Sequence, residues 1–167
     1  MPQPGANTTD LTAHAIHGTD PQLLIEKITR TKIRESNYWK EHCFALTAES
    51  LVDKAVDLKY VGGTYGGANK PTEFMCLVLK MLQIQPEMEI VTEFIRQSNF
   101  KYVRVLGAFY LRLVAKPREI YVYLESMLSD FRKIRMRQND GKYKVSTVDV
   151  IVDALLREDY YFDIGRK

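Results

Sequence analysis

The sequence predicts an all-α protein: a single irregular multi-helix domain with a small basic β-hairpin near its C-terminal end. Three observations point there. Apolar residues recur at three- and four-residue spacing along most of the 167 residues, as in helices that bury one face. Prolines and capping residues punctuate those runs. One stretch alone, Lys133 to Val145, alternates charged and apolar residues with the period of a strand.

The elements follow in order. Thr19-Asp20-Pro21 opens a first helix, with Leu24, Ile28 and Thr31 expected on one face. Asn37 to Leu46 brings Trp39, Cys43 and Leu46 together. Thr47 can cap the next helix, where Leu51, Val52, Ala55 and Val56 repeat at helical spacing. Then Gly62-Gly63-Thr64-Tyr65-Gly66-Gly67 holds four of the nine glycines. A phosphate-binding loop needs Gly-Lys-Ser/Thr at its end, and here Gly67 leads into Ala68-Asn69-Lys70-Pro71. The dinucleotide fingerprint fails as well. The loop therefore reads as a structural turn that displays Tyr65.

Lys70-Pro71 reads as a helix start, since proline at the first helical position loses no hydrogen bond. Phe74, Leu77, Val78, Met81 and Leu82 form its stripe. Pro86 opens the helix of Ile90, Val91, Phe94 and Ile95. Tyr102 to Val114 marks the longest helix, and Gly107-Ala108 in its middle is small enough for close packing. Pro117 opens another, with Ile120, Leu124, Met127 and Leu128. The last runs from about Val148, where Ser146 with Asp149 resembles a capping box. Between these two, Asp140-Gly141 is a hairpin turn signal. With those as the two turn residues, Met136 faces Val145 and Arg137 faces Lys144. The rival is a helix continuing from Asp130 to about Arg137.

Composition bounds the function. With 46% hydrophobic residues the chain can bury a core, yet no run approaches the ~18 apolar residues of a membrane span. Residues 1–14 are polar, lack a secretory pattern, and are expected to be a disordered tail; residues 15–167 form the domain. Cys43 and Cys76 lie in apolar helical patterns, as buried thiols do in a reducing compartment. With His14, His17 and His42 they show no metal-ligand spacing, and no nucleophile motif occurs. Glu87 and Glu89 sit at a helix start, where the dipole favours acids. No catalytic, cofactor or metal residue is assigned.

What remains is surface chemistry. Net charge is +3, but Arg132 to Lys144 holds six basic residues and one acid. Such a segment suits a phosphate backbone or an acidic partner; equally, cations on short exposed strands guard against edge pairing. No base-reading platform accompanies it. Ten tyrosines supply rings that are apolar yet tolerate water, as interfaces favour. The candidate partner- or RNA-binding residues are Tyr65, Lys70, Arg132, Lys133, Arg135, Arg137, Lys142, Lys144, Tyr160 and Tyr161. With no heptad runs, a monomer is expected.

The glycine block VGGTYGGANKPTEFMCLVLKMLQIQPE resembles a signature of the pre-mRNA-splicing factor 38 family. So do IHGTDPQLLIEKITRTKIRESNYWKEHCFALTAE, EFIRQSNFKYVRVLGAFYLRL and the basic segment through VDVIVDALL. The likeness is collinear from about Ala15 to Asp163. It implies a nuclear, all-helical, non-enzymatic scaffold of the tri-snRNP and pre-catalytic spliceosome, needed for activation. The implied partners are a small zinc-finger splicing protein, a microfibrillar-associated-type splicing protein and other tri-snRNP components. Longer relatives carry an Arg/Ser-rich or acidic tail beyond the point where Lys167 ends this chain. Lys116-Pro117-Arg118 and Asp163 to Lys167 depart from the family pattern.

Overall fold

The computed structural model describes residues 20–162, 164 and 165. The tail expected at 1–14, Thr19, His14, His17, Asp163 and the last two residues lie outside the described residues, as does the side chain of Tyr160. Helices dominate: α1 Lys27–Glu35, α2 Ala48–Val56, α3 Glu73–Ile84, α4 Met88–Arg96, α5 Lys101–Val114, α6 Pro117–Leu124 and α7 Val148–Arg157. Antiparallel two-stranded ribbons pair β1 Thr64–Tyr65 with β2 Lys70–Pro71, β3 Lys133–Arg137 with β4 Tyr143–Thr147, and β5 Tyr160–Tyr161 with β6 Ile164–Gly165. The fold is the expected one. Among the described residues, no helix is long and apolar enough to cross a membrane.

The core is organised around α5, which packs against α2, α3, α4, α6 and α7. Every residue from Val105 to Leu113 is buried, as is every residue of α3 from Phe74 to Gln83. Helices enclosed on all sides sit at the centre of a domain, so the apolar stripes read from sequence understate both. Their buried cations reach partners inside the fold. Lys80 Nζ donates to the Phe44 carbonyl at 2.9 Å and to Gln83 Oε1 at 3.1 Å. Arg112 donates to the Glu158 carbonyl at 2.8 Å. Gly107 is where α5 meets α4: a Cβ there would stand 2.8 Å from Cβ of Phe94.

Three local expectations are corrected. The first helix is broken: Asp20 caps a 3₁₀ turn at Pro21–Leu24, Ile25 and Glu26 are extended, and α1 restarts at Lys27. The break resets the helical phase, so Leu24, Ile25, Thr29 and Ile33 are buried while Ile28 is 75% exposed. Lys70-Pro71 is strand β2 rather than a helix start. α3 begins two residues later, capped by Thr72, whose Oγ1 accepts from Met75 N at 3.1 Å. No Ser146–Asp149 box forms at α7. Its N-cap is Thr147, and the first-turn amides of Val148 and Asp149 donate instead to the carbonyls of Arg132 and Asp130, at 3.0 and 2.9 Å. Backbone from the neighbouring segment does the work expected of side chains.

Thr72 is fully buried and also donates to the Gly62 carbonyl at 2.6 Å. Thr72→Val keeps the shape and removes both bonds. The expected loss is about 1–2 kcal/mol, read as a lower urea midpoint; Thr72→Ser should restore most of it.

Candidate partner-binding surface

The glycine loop and the basic hairpin, from opposite halves of the chain, are tied into one structure. Val61 N donates to the Arg135 carbonyl at 2.9 Å, Arg137 N to the Val61 carbonyl at 2.8 Å, and Gly66 N to the Asn139 carbonyl at 2.9 Å. Gly62 is required there. Its φ is +152°, and a Cβ would lie 2.6 Å from the Arg137 carbonyl oxygen. Thus the loop is structural, as its failed phosphate motif implied, and it displays a half-buried Tyr65 opposite Lys70.

The hairpin forms with a register one residue away from the expected one. Arg137 pairs with Tyr143, Met136 with Lys144 and Arg135 with Val145. The reason is the turn. Gln138 N donates to the Lys142 carbonyl, and Gly141 N returns to the Gln138 carbonyl, both at 2.9 Å. Three residues, Asn139, Asp140 and Gly141, therefore form the loop, with Gly141 at φ +87°, as in a type I turn closed by a left-handed residue. The like-charge pair Arg137–Lys144 does not arise. Tyr143 faces Arg137 instead and accepts from its Nη1 at 3.0 Å.

Arg137 is the centre of an aromatic cluster. Its guanidinium carbon lies 3.9 Å from the Tyr65 ring centroid, 4.9 Å from that of Tyr143 and 5.7 Å from that of Tyr60. Tyr60 and Tyr143 meet edge to face at 5.4 Å. Stacking of this kind orients both partners, so the arginine holds the hairpin against the loop. Arg132 is also committed. It grips Asp130 with Nε at 2.9 Å and Nη2 at 2.7 Å, and Nη1 donates to the Ser98 carbonyl. Asp130 accepts Arg104 Nη1 as well, at 2.7 Å. Hydrogen bonding from Arg132, more than any other influence, holds the Asp130 carboxyl down at about 2.

The six cations of the hairpin thus divide. Arg132 and Arg137 are built into the fold, whereas Lys133, Arg135, Lys142 and Lys144 are exposed. Arg135 still lies over Tyr143 at 5.4 Å. Tyr161 is half-buried, stacks on Phe162 at 4.2 Å, and has its hydroxyl pushed up to about 12 by burial. Cys43 and Cys76 are buried free thiols; burial pushes both up, Cys76 to about 12, so both stay protonated and unreactive near neutral pH. The described residues contain no group of three or more His, Cys, Asp or Glu that could hold a metal ion.

Of two adjoining hollows, the first borders the loop. It has a volume of about 460 Å³ and is lined by Lys32, Glu35, Tyr38, Tyr60, Tyr65, Lys70 and Glu73 among others. The second, of about 580 Å³, shares Tyr38 and Glu73 and continues to His42, Lys54 and Asp57. They make one groove between α1, the π-turn at Trp39–Cys43, α2 and the β1–β2 ribbon. A separate trough of about 520 Å³ lies between α4 and α6, lined by Met88, Glu89, Thr92, Glu93, Arg96 and Tyr123. Of the groove, the sequence pointed only to Tyr65 and Lys70. Tyr38, Glu35 and Glu73 carried no motif, and it is the packing of α1 and the π-turn on α3 and β2 that brings them together.

The described residues thus form a helical domain with grooves lined by both aromatic and charged side chains. Comparison with known proteins gives its family. A model described as the PRP38 family matches residues 14–165, and the chain belongs to that family. It is 57% identical over 160 residues to pre-mRNA-splicing factor 38 of Arabidopsis thaliana, covering 96% of this chain and 45% of that protein. To pre-mRNA-splicing factor 38A of Xenopus laevis and of Homo sapiens it is 55% identical, covering 95% of this chain and 51% of each. The chain therefore spans about half the length of the curated relatives it matches. Among solved structures, it is similar to a chain in the crystal structure of the Snu23–Prp38–MFAP1(217-258) complex of Chaetomium thermophilum. There the TM-score is 0.87 and identity 36%, over 93% of this chain and 81% of that one.

Proposed function

We propose that this chain is a non-enzymatic, protein-binding scaffold that works in pre-mRNA splicing in the nucleus, within the tri-snRNP and pre-catalytic spliceosome. The observation that carries the reading is its likeness, along nearly the whole chain, to a member of a three-protein complex. The partners to expect are counterparts of the other two proteins of that complex. The groove beside the glycine loop and the trough between α4 and α6 lie on different elements, which suits a monomer that engages two partners at once. Half-buried tyrosines on such surfaces are natural anchors.

A second reading has its own support. Lys133 and Arg135 are exposed on one face of the hairpin, beside the half-exposed Tyr143, and Lys142 and Lys144 are exposed near its turn. That combination suits a nucleic-acid backbone, with a base able to stack on the ring.

A pull-down from nuclear extract, with and without RNase, separates the two. Capture of splicing proteins that survives RNase supports the scaffold. Capture that needs intact RNA moves the basic hairpin to the centre, where binding should fall steeply with salt. Failure to capture any splicing protein in either condition would overturn the scaffold reading.

A further inference from the structure

The groove beside the glycine loop has a chemistry more specific than its shape. Tyr38, Tyr60 and Tyr65 line one hollow together with Glu35 and Glu73. Both glutamates are exposed, and neither takes part in an ion pair among the described residues. Aromatic faces attract cations through the ring quadrupole, and adjacent carboxylates add a charge-assisted hydrogen bond. The chain already shows which cation two of these rings accept. The Arg137 guanidinium lies 3.9 Å from Tyr65 and 5.7 Å from Tyr60, and each ring has a second face. Lys32 and Lys70 border the same hollow, so its charge is divided and not simply negative.

We infer that this groove binds an arginine of a partner protein, flanked in the partner's sequence by an acidic residue. The guanidinium lies against the tyrosine wall and pairs with Glu73 or Glu35; the acidic neighbour meets Lys70 or Lys32. Arginine suits the site better than lysine. Its planar group stacks on a ring and presents paired donors to a carboxylate at once, while an ammonium is a hydrated point charge. The inference rests on the scaffold reading and adds the side chain that the scaffold selects.

The test is a titration of the isotope-labelled chain, followed by backbone amide shifts. The probe is a blocked hexapeptide, acetyl-Gly-Ser-Arg-Asp-Gly-Ser-amide. Its control carries citrulline, which keeps the planar shape of arginine without the charge. Saturable shifts are expected around residues 35–38 and 65–73. Citrulline should weaken binding by about tenfold or more, and so should the double variant Glu35→Gln/Glu73→Gln, as the loss of charge-assisted pairing requires. Both glutamates are exposed, so the variant should unfold at the wild-type temperature.

Equal binding of the citrulline peptide would overturn the inference. Shifts centred on the α4–α6 trough, or no saturation in the millimolar range, would do the same. The nuclear-extract capture keeps the two ideas apart. If the double variant still captures splicing proteins as the wild type does, the scaffold reading stands and the arginine site falls. If wild type captures none, the scaffold reading fails whatever the peptide does.

Discussion

Asp130→Ala is expected to cost about 3 kcal/mol, because removing a buried carboxylate strands the largely buried Arg104. The Asp130 side chain is 7% exposed and that of Arg104 13%. Arg104 Nε also donates to the Ile95 carbonyl at 2.7 Å, and Arg132 reaches the Ser98 carbonyl. One carboxylate therefore gathers the end of α4, the turn after it, α5 and the root of the hairpin. For a domain of this size the loss corresponds to a fall in Tm of roughly 10 °C. Because the carboxyl is held down at about 2 when folded, against 3.8 ordinarily, its stabilisation is complete above about pH 4. It is lost as pH falls toward 2. Asp130→Asn should thus be destabilised at pH 7 and show a shallower acid limb in urea unfolding between those values. An unchanged acid limb would mean that the cluster contributes no proton-linked stability.

Gly107→Val is the second large effect, and its sign is diagnostic. On an exposed helix, replacing glycine by a residue with a better helix propensity gains up to about 1 kcal/mol. At Gly107 even the first added carbon would press on Cβ of Phe94 at 2.8 Å, with the Ile95 backbone nitrogen 3.4 Å away. Neither contact is the free end of a flexible chain, so α4 must move off α5. Overpacking of this kind costs about 1–3 kcal/mol. Thermal unfolding should show the fall, with smaller losses for Gly107→Ala than for valine. A rise in Tm for the alanine variant would show that α4 and α5 have room to separate.

The helical core was legible because its signals are local. α5 is a long periodic run, and Gly107 marked a close approach that Phe94 supplies. The hairpin was legible by its two-residue period. Its register was not, because Asp-Gly fits both a two-residue and a three-residue loop, and only the left-handed Gly141 decides. The first helix lost its phase at Ile25 and Glu26, a break that no proline or glycine announces.

The surface was less legible, for a physical reason. Six hairpin cations look alike in sequence, yet Arg132 is paired with Asp130 two residues away, and Arg137 is held against rings that include Tyr60 and Tyr65 from the far half of the chain. Charge is read from composition, whereas availability depends on partners brought by the fold. The groove was hidden for the same reason. Glu35 ends α1, Glu73 begins α3, and neither belongs to a periodic pattern that would single it out.

The lacing of Val61 and Gly66 to the hairpin carries a consequence for the order of events during synthesis. Those bonds join an early segment to one made much later, so the wall carrying Tyr60 and Tyr65 cannot set until the hairpin has left the ribosome. Closing so long a loop is slow compared with forming the helices in between. A nascent chain truncated before Lys133 should contain most of the helices but lack a rigid groove, and should therefore acquire partner affinity only as its last quarter emerges.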